Sequence, residues 1–599
     1  MGKVQADDLV CRLELTFKGK LGPKFLSLVG RPFERLLRFE RPRGFYIDTP
    51  AGDAREESLV VLNVALEVSE DDLARIPAGG PAVAVCNHPF GGIEALILGT
   101  VLRSVREDVK VVAGPLLERM SANNESFIRA DPFGRSAPSK KLAEECTRWV
   151  GNGGLLAVHP AADVPDIDLK HRVVADPRWR ESVARFIREA GAPVLPIFIS
   201  GCNEALFHIV GLVQYRLSSA VEPGELFNRQ RKDLQVRVGS IVPVDKLGSF
   251  ESDTDLIAYL RMRTYILDGR SSGGGGSEKA GAQRGDRDTL DEIAPPRDPE
   301  QIEREVQSLP PEQTLAETGG LVAILADAPQ IPNVMHEIGR LREVTFREVG
   351  EGTGKSLDLD RFDEYYKHLL VWNTVKGELV GAYRLGLTDE ILARFGKDGL
   401  YTSTLFEFKS EMLEKINPAV ELGRSFVRAE YQRSYAPLML LWKGIGEFAV
   451  RNPGYKLLFG PVSINKDYNS TSRQLMMWFL KENNYMQGLA ELVQARTPVE
   501  TAAIRGLDGA GAGGLPGSIE EVSALVSEIE SDQKGVPILL RQYLRLGGKL
   551  LGCNIDPEFS NVLDALLLVD LMETDRKILV RYMGREKAEA FLAYHGACL

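Results

Sequence analysis

Two rhythms of apolar and polar residues run along this chain. Short uninterrupted apolar runs, AVAVCN, VKVVAG, GLLAVHP and APVLPIFIS, recur through its first part. Runs of about four to eight such residues, bounded by turn formers, predict buried strands. Between them, SKKLAEECTRWVGN and RESVARFIREAG space their apolar positions at helical period. Strand and helix in alternation predict an α/β domain with a partly parallel sheet. The rhythm breaks at GRSSGGGGSEKAGAQRGDRD, rich in glycine and charge, and at EIAPPRDPE, whose prolines do not suit a helix interior. It resumes with strands expected at KGELVGAYRLG, KLLFGPVSI and ALLLVDL, while GLDGAGAGGLPGS reads as a loop or excursion. The expected organisation is a segment at 1–49, an α/β unit at 50–265, a flexible linker at 266–313 and a second unit at 314–599.

Composition narrows the class. The 599 residues exceed what one core comfortably holds, and 44% hydrophobic with 26% charged residues is the balance of a folded protein. Six cysteines lie far apart and never form CxxC, which argues for a reducing compartment and against a thiolate zinc site or a disulfide scaffold. No metal or cofactor is implied. A net charge of −11 argues against general nucleic-acid binding. Locally the balance differs: Arg12 to Arg43 holds nine Lys/Arg and three Asp/Glu, interleaved with Phe17, Phe25, Leu28, Phe33, Leu36, Leu37 and Phe39. That segment suits an anionic membrane surface, and equally a helix face packed on its own domain. The first residues carry charge where a signal peptide needs an apolar core, and no apolar run approaches the roughly 18 residues of a spanning helix. A cytoplasmic protein, peripheral on the inner face of the cytoplasmic membrane, is expected.

Candidate chemistry in the first unit centres on His88. The AVAVCN strand turns through PFGG into IEALILG, which brings Glu94 to the start of a helix. A histidine with a carboxylate partner can take a proton from an alcohol or amine attacking an acyl carbonyl, while the carboxylate fixes the imidazole tautomer. The plain alternative is a histidine closing a turn. His159, in HPAAD, can be a second acid or base or simply a strand-end histidine. In the second unit DLDRFD, GAYRLG and AVELGRSFV stand out. Asp360 with Asp363, and Glu421 with Arg424, are three apart, as surface pairs on helices often are. Carboxylates can also grip an amine, and arginines a carboxylate or phosphate. GEGTGKS resembles a phosphate loop, but GxxxxGKS needs glycine where the chain has Val349.

These residues also carry a resemblance. NHPFGGIEA, RADPFG, GGLLAVHPAADV, the stretch from DPRWRESVARF to FHIVGL, and VRVGSIVPV resemble, in order and spacing, the lysophospholipid acyltransferase superfamily in the hemolysin-like group that includes bifunctional ornithine lipid synthases. The resemblance makes His88 and Glu94 the catalytic pair, acting on an acyl thioester and a lipid hydroxyl, with Asp163 in the substrate site. Two departures matter: the family acid is usually Asp, one methylene shorter than Glu94, and the FPEG-type motif with its phosphate-holding arginine is replaced by HPAAD. That disfavours a phosphate-bearing acceptor and is compatible with an amino-acid lipid. The second unit resembles acyl-homoserine lactone synthases and ornithine N-acyltransferases, relatives of the acetyltransferase fold, through Arg342, Phe346, Asp360, Asp363, Arg384, Glu421 and Arg424. IPNVMHEIGRLREVTF and LLFGPVSINKDYNSTSR look more specifically like the ornithine enzymes.

The resemblance therefore implies an α/β chain with an acyltransferase-like first domain and an acetyltransferase-like second domain. The second would N-acylate L-ornithine from 3-hydroxyacyl-[acyl carrier protein], with Glu421 as proton acceptor, Arg342, Phe346, Asp360, Asp363, Arg384 and Arg424 shaping the site, and backbone amides near Tyr383 steadying the oxyanion. The first would O-acylate the lyso-ornithine lipid. Local basic residues such as Lys355 and Arg361, or the N-terminal segment, would receive the acidic carrier. The expected alternatives are an N-acyltransferase for glycine or lysine with a weak or inactive first domain, and a membrane-associated carrier-binding scaffold.

Overall fold

The computed structural model describes residues 64–88, 93–113, 126–129, 140–161, 166–168, 173–175, 179–200, 232–270, 290–499 and 516–598. The basic segment, RADPFG after its first residue, Asp163 and most of GLDGAGAGGLPGS lie outside them. In the first lobe seven strands form one sheet: β1 (Val64–Glu67), β2 (Ala82–Cys86), β3 (Val109–Ala113), β4 (Phe127–Arg129), β5 (Leu155–Val158), β6 (Val194–Ile199) and β7 (Lys232–Val238). Their order is β1-β7-β6-β2-β5-β3-β4. All neighbours pair in parallel except β6 with β7. Strands β2, β5 and β6 are buried along their whole length, which is why they read as continuous apolar runs rather than alternating ones. Helix α1 (Ile93–Arg103) follows β2 and packs Ile97, Leu98 and Leu102 on one sheet face.

The second lobe is built on eight strands: β8 (Thr314–Thr318), β9 (Leu321–Asp327), β10 (Lys367–Asn373), β11 (Glu378–Leu387), β12 (Ala419–Val427), β13 (Leu457–Ile464), β14 (Lys549–Asp556) and β15 (Val562–Asp570). The order is β8-β9-β10-β11-β12-β13-β15-β14. Only β12 and β13 pair in parallel, and their register runs over Ala419–Glu421 against Leu457–Phe459 and stops there. The strands continue to Val427 and Ile464, so the sheet is split from this point on.

Of the stretch expected to be a flexible linker, residues 290–313 hold regular structure, which corrects that part of the expectation. Asp291 and Ala294 donate backbone hydrogen bonds to Gly354 and Ser356. Helix α3 (Pro299–Gln307) carries its proline in the first turn, where no backbone N–H is needed, and buries Ile302 and Val306 against helix α4 (Pro332–Glu348). The phosphate-loop lookalike is filled by the protein itself: Glu343 of α4 accepts from Thr353 N, Gly354 N and the Thr353 hydroxyl at 3.1, 2.8 and 2.6 Å.

The described residues of both lobes form one compact unit. Helix α2 (Asp253–Tyr265) of the first lobe and helix α5 (Ile519–Ile529) of the second share an apolar core that reaches Val83 and Val85 in one sheet and Val371, Leu422 and Ala565 in the other. Arg263 of α2 pairs with Glu528 of α5 at 2.9 Å, both buried, and Lys246 with Glu521 at 2.6 Å. No described helix is long and apolar enough to cross a membrane.

Candidate active sites

In the first lobe the site forms at the C-terminal end of β2. Asn87 continues the sheet with its side chain, donating to Ile199 O at 2.9 Å and accepting from Ile199 N at 2.8 Å. The clamp fixes the chain immediately before His88. His88 Nδ1 lies 3.6 Å from Glu94 Oε1; the imidazole is 21% exposed and the carboxylate, in the first turn of α1, is fully buried. This separation exceeds a made hydrogen bond, so the extra methylene of Glu94 spans the gap to charge contact without closing it. His159 emerges from the neighbouring parallel strand, and its ring centroid is 5.1 Å from that of His88. Burial first, then the charge of His88, hold the His159 pKa well below the ordinary imidazole value.

In the second lobe the expected residues converge on one sheet face. DLDRFD forms a tight turn rather than a helix face: Asp360 caps it, accepting from Phe362 N and Asp363 N, and Asp363 accepts in return from Asp360 N at 2.9 Å. Asp358 N bonds Gly339 O at 3.0 Å, and a Cβ at Gly339 would sit 2.6 Å from Leu359, so glycine lets this turn lie against α4. Arg342 of α4 donates to Asp363 at 2.8 Å and Arg384 of β11 to Asp360 at 2.6 Å, with Asp363 3.3 Å away. Both guanidinium groups are fully buried. Burial works to raise the Asp363 pKa, but the charges of Arg342 and Arg384 outweigh it and hold the carboxyl well below its usual range. Nη2 of each arginine has no hydrogen-bond partner among the described residues, leaving donors for a ligand.

Arg384 also lies within 5.1–5.7 Å of the ring centroids of Tyr401, Tyr366 and Phe362. Behind them sits Glu421, fully enclosed. Its oxygens accept from the Tyr366 hydroxyl and from the backbone N–H of Tyr401 and Thr402; burial pushes its pKa up, against those hydrogen bonds. Glu421 and Arg424 lie on one strand, not on the helix their spacing resembles. An extended strand would turn residues three apart to opposite faces. Arg424 breaks the alternation by adopting a left-handed backbone, φ +53°, opposite a register shift between Ala382 and Arg384. A non-glycine residue held there marks a locally imposed conformation. Arg424 lies over Tyr401 and Phe559, and Phe559 meets Phe346 edge-on at 5.3 Å. Its Nε is 3.6 Å from Asp358.

Beyond the expected set, three further buried carboxylates feel the charge of Arg424: Glu351, Asp556 and Asp564. Burial raises all three, most strongly Asp564, where Asp556 and Glu351 add their charges. His368, paired in register with Arg384, is pushed down to about 4 by burial and by Arg342. Asp564 leaves a trace in the sequence, a lone carboxylate inside the apolar run VLDALLLV. Tyr366 and Tyr401 leave none beyond ordinary core aromatics.

Residues 58–274 match an acyltransferase family model and residues 341–443 an acetyltransferase (GNAT) domain model. Two such domains in one α/β chain define a bifunctional acyltransferase. Two bacterial relatives are glycine N(alpha)-acyltransferases: one from Phocaeicola vulgatus is 32% identical over 44% of this chain and 82% of its own length, and one from Bacteroides thetaiotaomicron is 34% identical over 41% and 77%. The chain belongs to the family of these N(alpha)-acyltransferases. The crystal structure of the 1-acyl-sn-glycerophosphate acyltransferase PlsC from Thermotoga maritima overlaps 42% of this chain and 94% of its own at 13% identity, with a TM-score of 0.24, too slight to add to the fold assignment.

Proposed function

We propose that the chain makes a diacylated amino-acid lipid in two steps. The second lobe N-acylates a free amino acid from a 3-hydroxyacyl thioester carried by acyl carrier protein, and the first lobe esterifies the new 3-hydroxyl. Membership in a family of N(alpha)-acyltransferases supports the first step, and it favours glycine as the amino acid over the ornithine expected from sequence resemblance. Buried arginines with unspent donors suit the acceptor's carboxylate. The amine attacks the thioester carbonyl carbon, forming C–N, and collapse of the intermediate breaks C–S. Glu421 takes the amine proton through the Tyr366 hydroxyl that donates to it, its raised pKa making it the stronger base. The exposed Lys355 and Arg361 are candidate contacts for the acidic carrier.

The second step is supported by His88 and Glu94 at charge-contact distance. His88 takes the proton of the lipid hydroxyl as it attacks a second thioester, then returns it to the departing thiolate, so no acyl-enzyme is needed. Delivery of the lyso product to this lobe takes place on a membrane surface.

Ornithine remains a second reading because Asp358 lies 3.6 Å from Arg424 and three more buried carboxylates, Glu351, Asp556 and Asp564, feel its charge. Carboxyl groups kept high by burial ionise readily when a cation arrives, and a second ammonium would be such a cation. Purified full-length protein supplied with 3-hydroxyacyl-[acyl carrier protein] and either amino acid separates the readings. N-acylglycine as the preferred product supports the first, N-acylornithine the second, and thiol release with neither overturns both.

A further inference from the structure

The role of His159 is not fixed by the two-step reading. Its strand β5 lies beside β2 with Val158 opposite Val85, so the two chains leave the sheet side by side, one carrying His159 and the other His88. The segment after His159 is pinned: Pro160 O accepts from Arg180 N at 3.0 Å, and Ala161 bridges to Trp179. The imidazole is therefore held 5.1 Å from that of His88, tilted 45° to it. Its Nε2 is buried and has no hydrogen-bond partner among the described residues. A buried polar nitrogen left without a partner is costly unless something else occupies it in the working state.

Resting on His88 as the base of O-acyl transfer, we infer that His159 is a second catalytic residue of that site, a neutral imidazole whose Nε2–H donates to the thioester carbonyl oxygen. The hydroxyl oxygen of the acceptor attacks the carbonyl carbon and its proton passes to His88. The carbonyl electron pair moves onto oxygen, where the His159 N–H stabilises it. When the intermediate collapses, the C–O double bond re-forms, the C–S bond breaks, and His88 returns the proton to the thiolate. His159 keeps its proton throughout. The division of labour is physical: two adjacent imidazoles cannot both carry charge cheaply, and the one whose Nε2 is buried without a carboxylate beside it among the described residues stays neutral while the one next to Glu94 cycles. The lowered pKa of His159 agrees with this.

The test uses the full chain, N-(3-hydroxypalmitoyl)glycine or its ornithine counterpart as acceptor, and palmitoyl-[acyl carrier protein] as donor. His159→Phe keeps the ring and removes the donor; His159→Gln restores an N–H. The expected result is a kcat for His159→Phe about 100-fold below wild type, with KM nearly unchanged, and recovery of about tenfold or more in His159→Gln. Unfolding temperatures equal to wild type would show that the loss is not one of folding. A His159→Phe enzyme within about twofold of wild-type kcat overturns the inference, as does a glutamine variant no better than phenylalanine. If His88→Ala retains full O-acylation, or wild type makes no O-acyl product, the underlying reading of the first lobe fails, and this inference with it.

Discussion

Arg384 and Arg342 are fully buried cations, and the protein keeps them by surrounding them with groups that cannot carry further positive charge. Asp360 and Asp363 neutralise them, and His368, whose Nε2–H donates to the Asp363 carbonyl oxygen at 2.9 Å, is held neutral beside them. The sign of the pH effect follows. His368 has a folded pKa of about 4 against 6.5 in the unfolded chain, so its contribution to stability is intact above about pH 6.5 and lost as pH falls toward 4. The linkage amounts to about 3 kcal/mol across that window. Urea denaturation of His368→Gln beside wild type should show a pH 7 to pH 4 decline shallower by about that amount; parallel declines would count against a buried neutral histidine. Spacing alone misread this site, since three-residue separations of charge resemble helix surface pairs. What it could not reveal was a capping turn against α4 and a left-handed Arg424, both fixed by contacts distant in sequence.

At the scale of elements, strand runs were the most legible feature, because strands buried on both faces have no polar alternation to interrupt them. Helix α2 was harder to foresee: its residues from Leu256 onward, except Ala258, are buried on all sides, so no apolar stripe betrays its face. The α3 segment was misread because its prolines were taken as breakers, whereas one lies in the first helical turn. Between α2 and α5, the Arg263–Glu528 pair sits in the shared core, with Glu528 also accepting from Ser240 N. Arg263→Met strands a buried carboxylate and should lower unfolding free energy by about 3–5 kcal/mol. Replacing both partners with methionine should recover most of it, as apolar substitutes for buried pairs commonly do. If the single change costs nothing by urea denaturation, the pair does not bind the lobes in the way described.

On the scale of the whole molecule, two acyltransferase lobes share one core, and the chemistry divides between them. The first lobe places His88 and Glu94 at the end of a parallel strand; the second offers an enclosed, guanidinium-rich face beside a split in its sheet. On the proposed reading their order of action follows from the substrates, since the hydroxyl esterified in the second step would arrive on the acyl group transferred in the first. The resemblance named the two acyltransferase domains from sequence; the amino acid was less legible, because on the proposed reading it turns on how buried carboxylates and arginines from β11, β12, β14 and β15 meet.

The most direct measurement is lipid mass spectrometry on a host that makes no amino-acid lipids, expressing wild-type protein, His88→Ala or Arg384→Met. The account predicts a diacylated amino-acid lipid with wild type, only its lyso form with His88→Ala, and neither with Arg384→Met. A diacylated product in the His88→Ala cells, or no amino-acid lipid from folded wild-type protein, would contradict it.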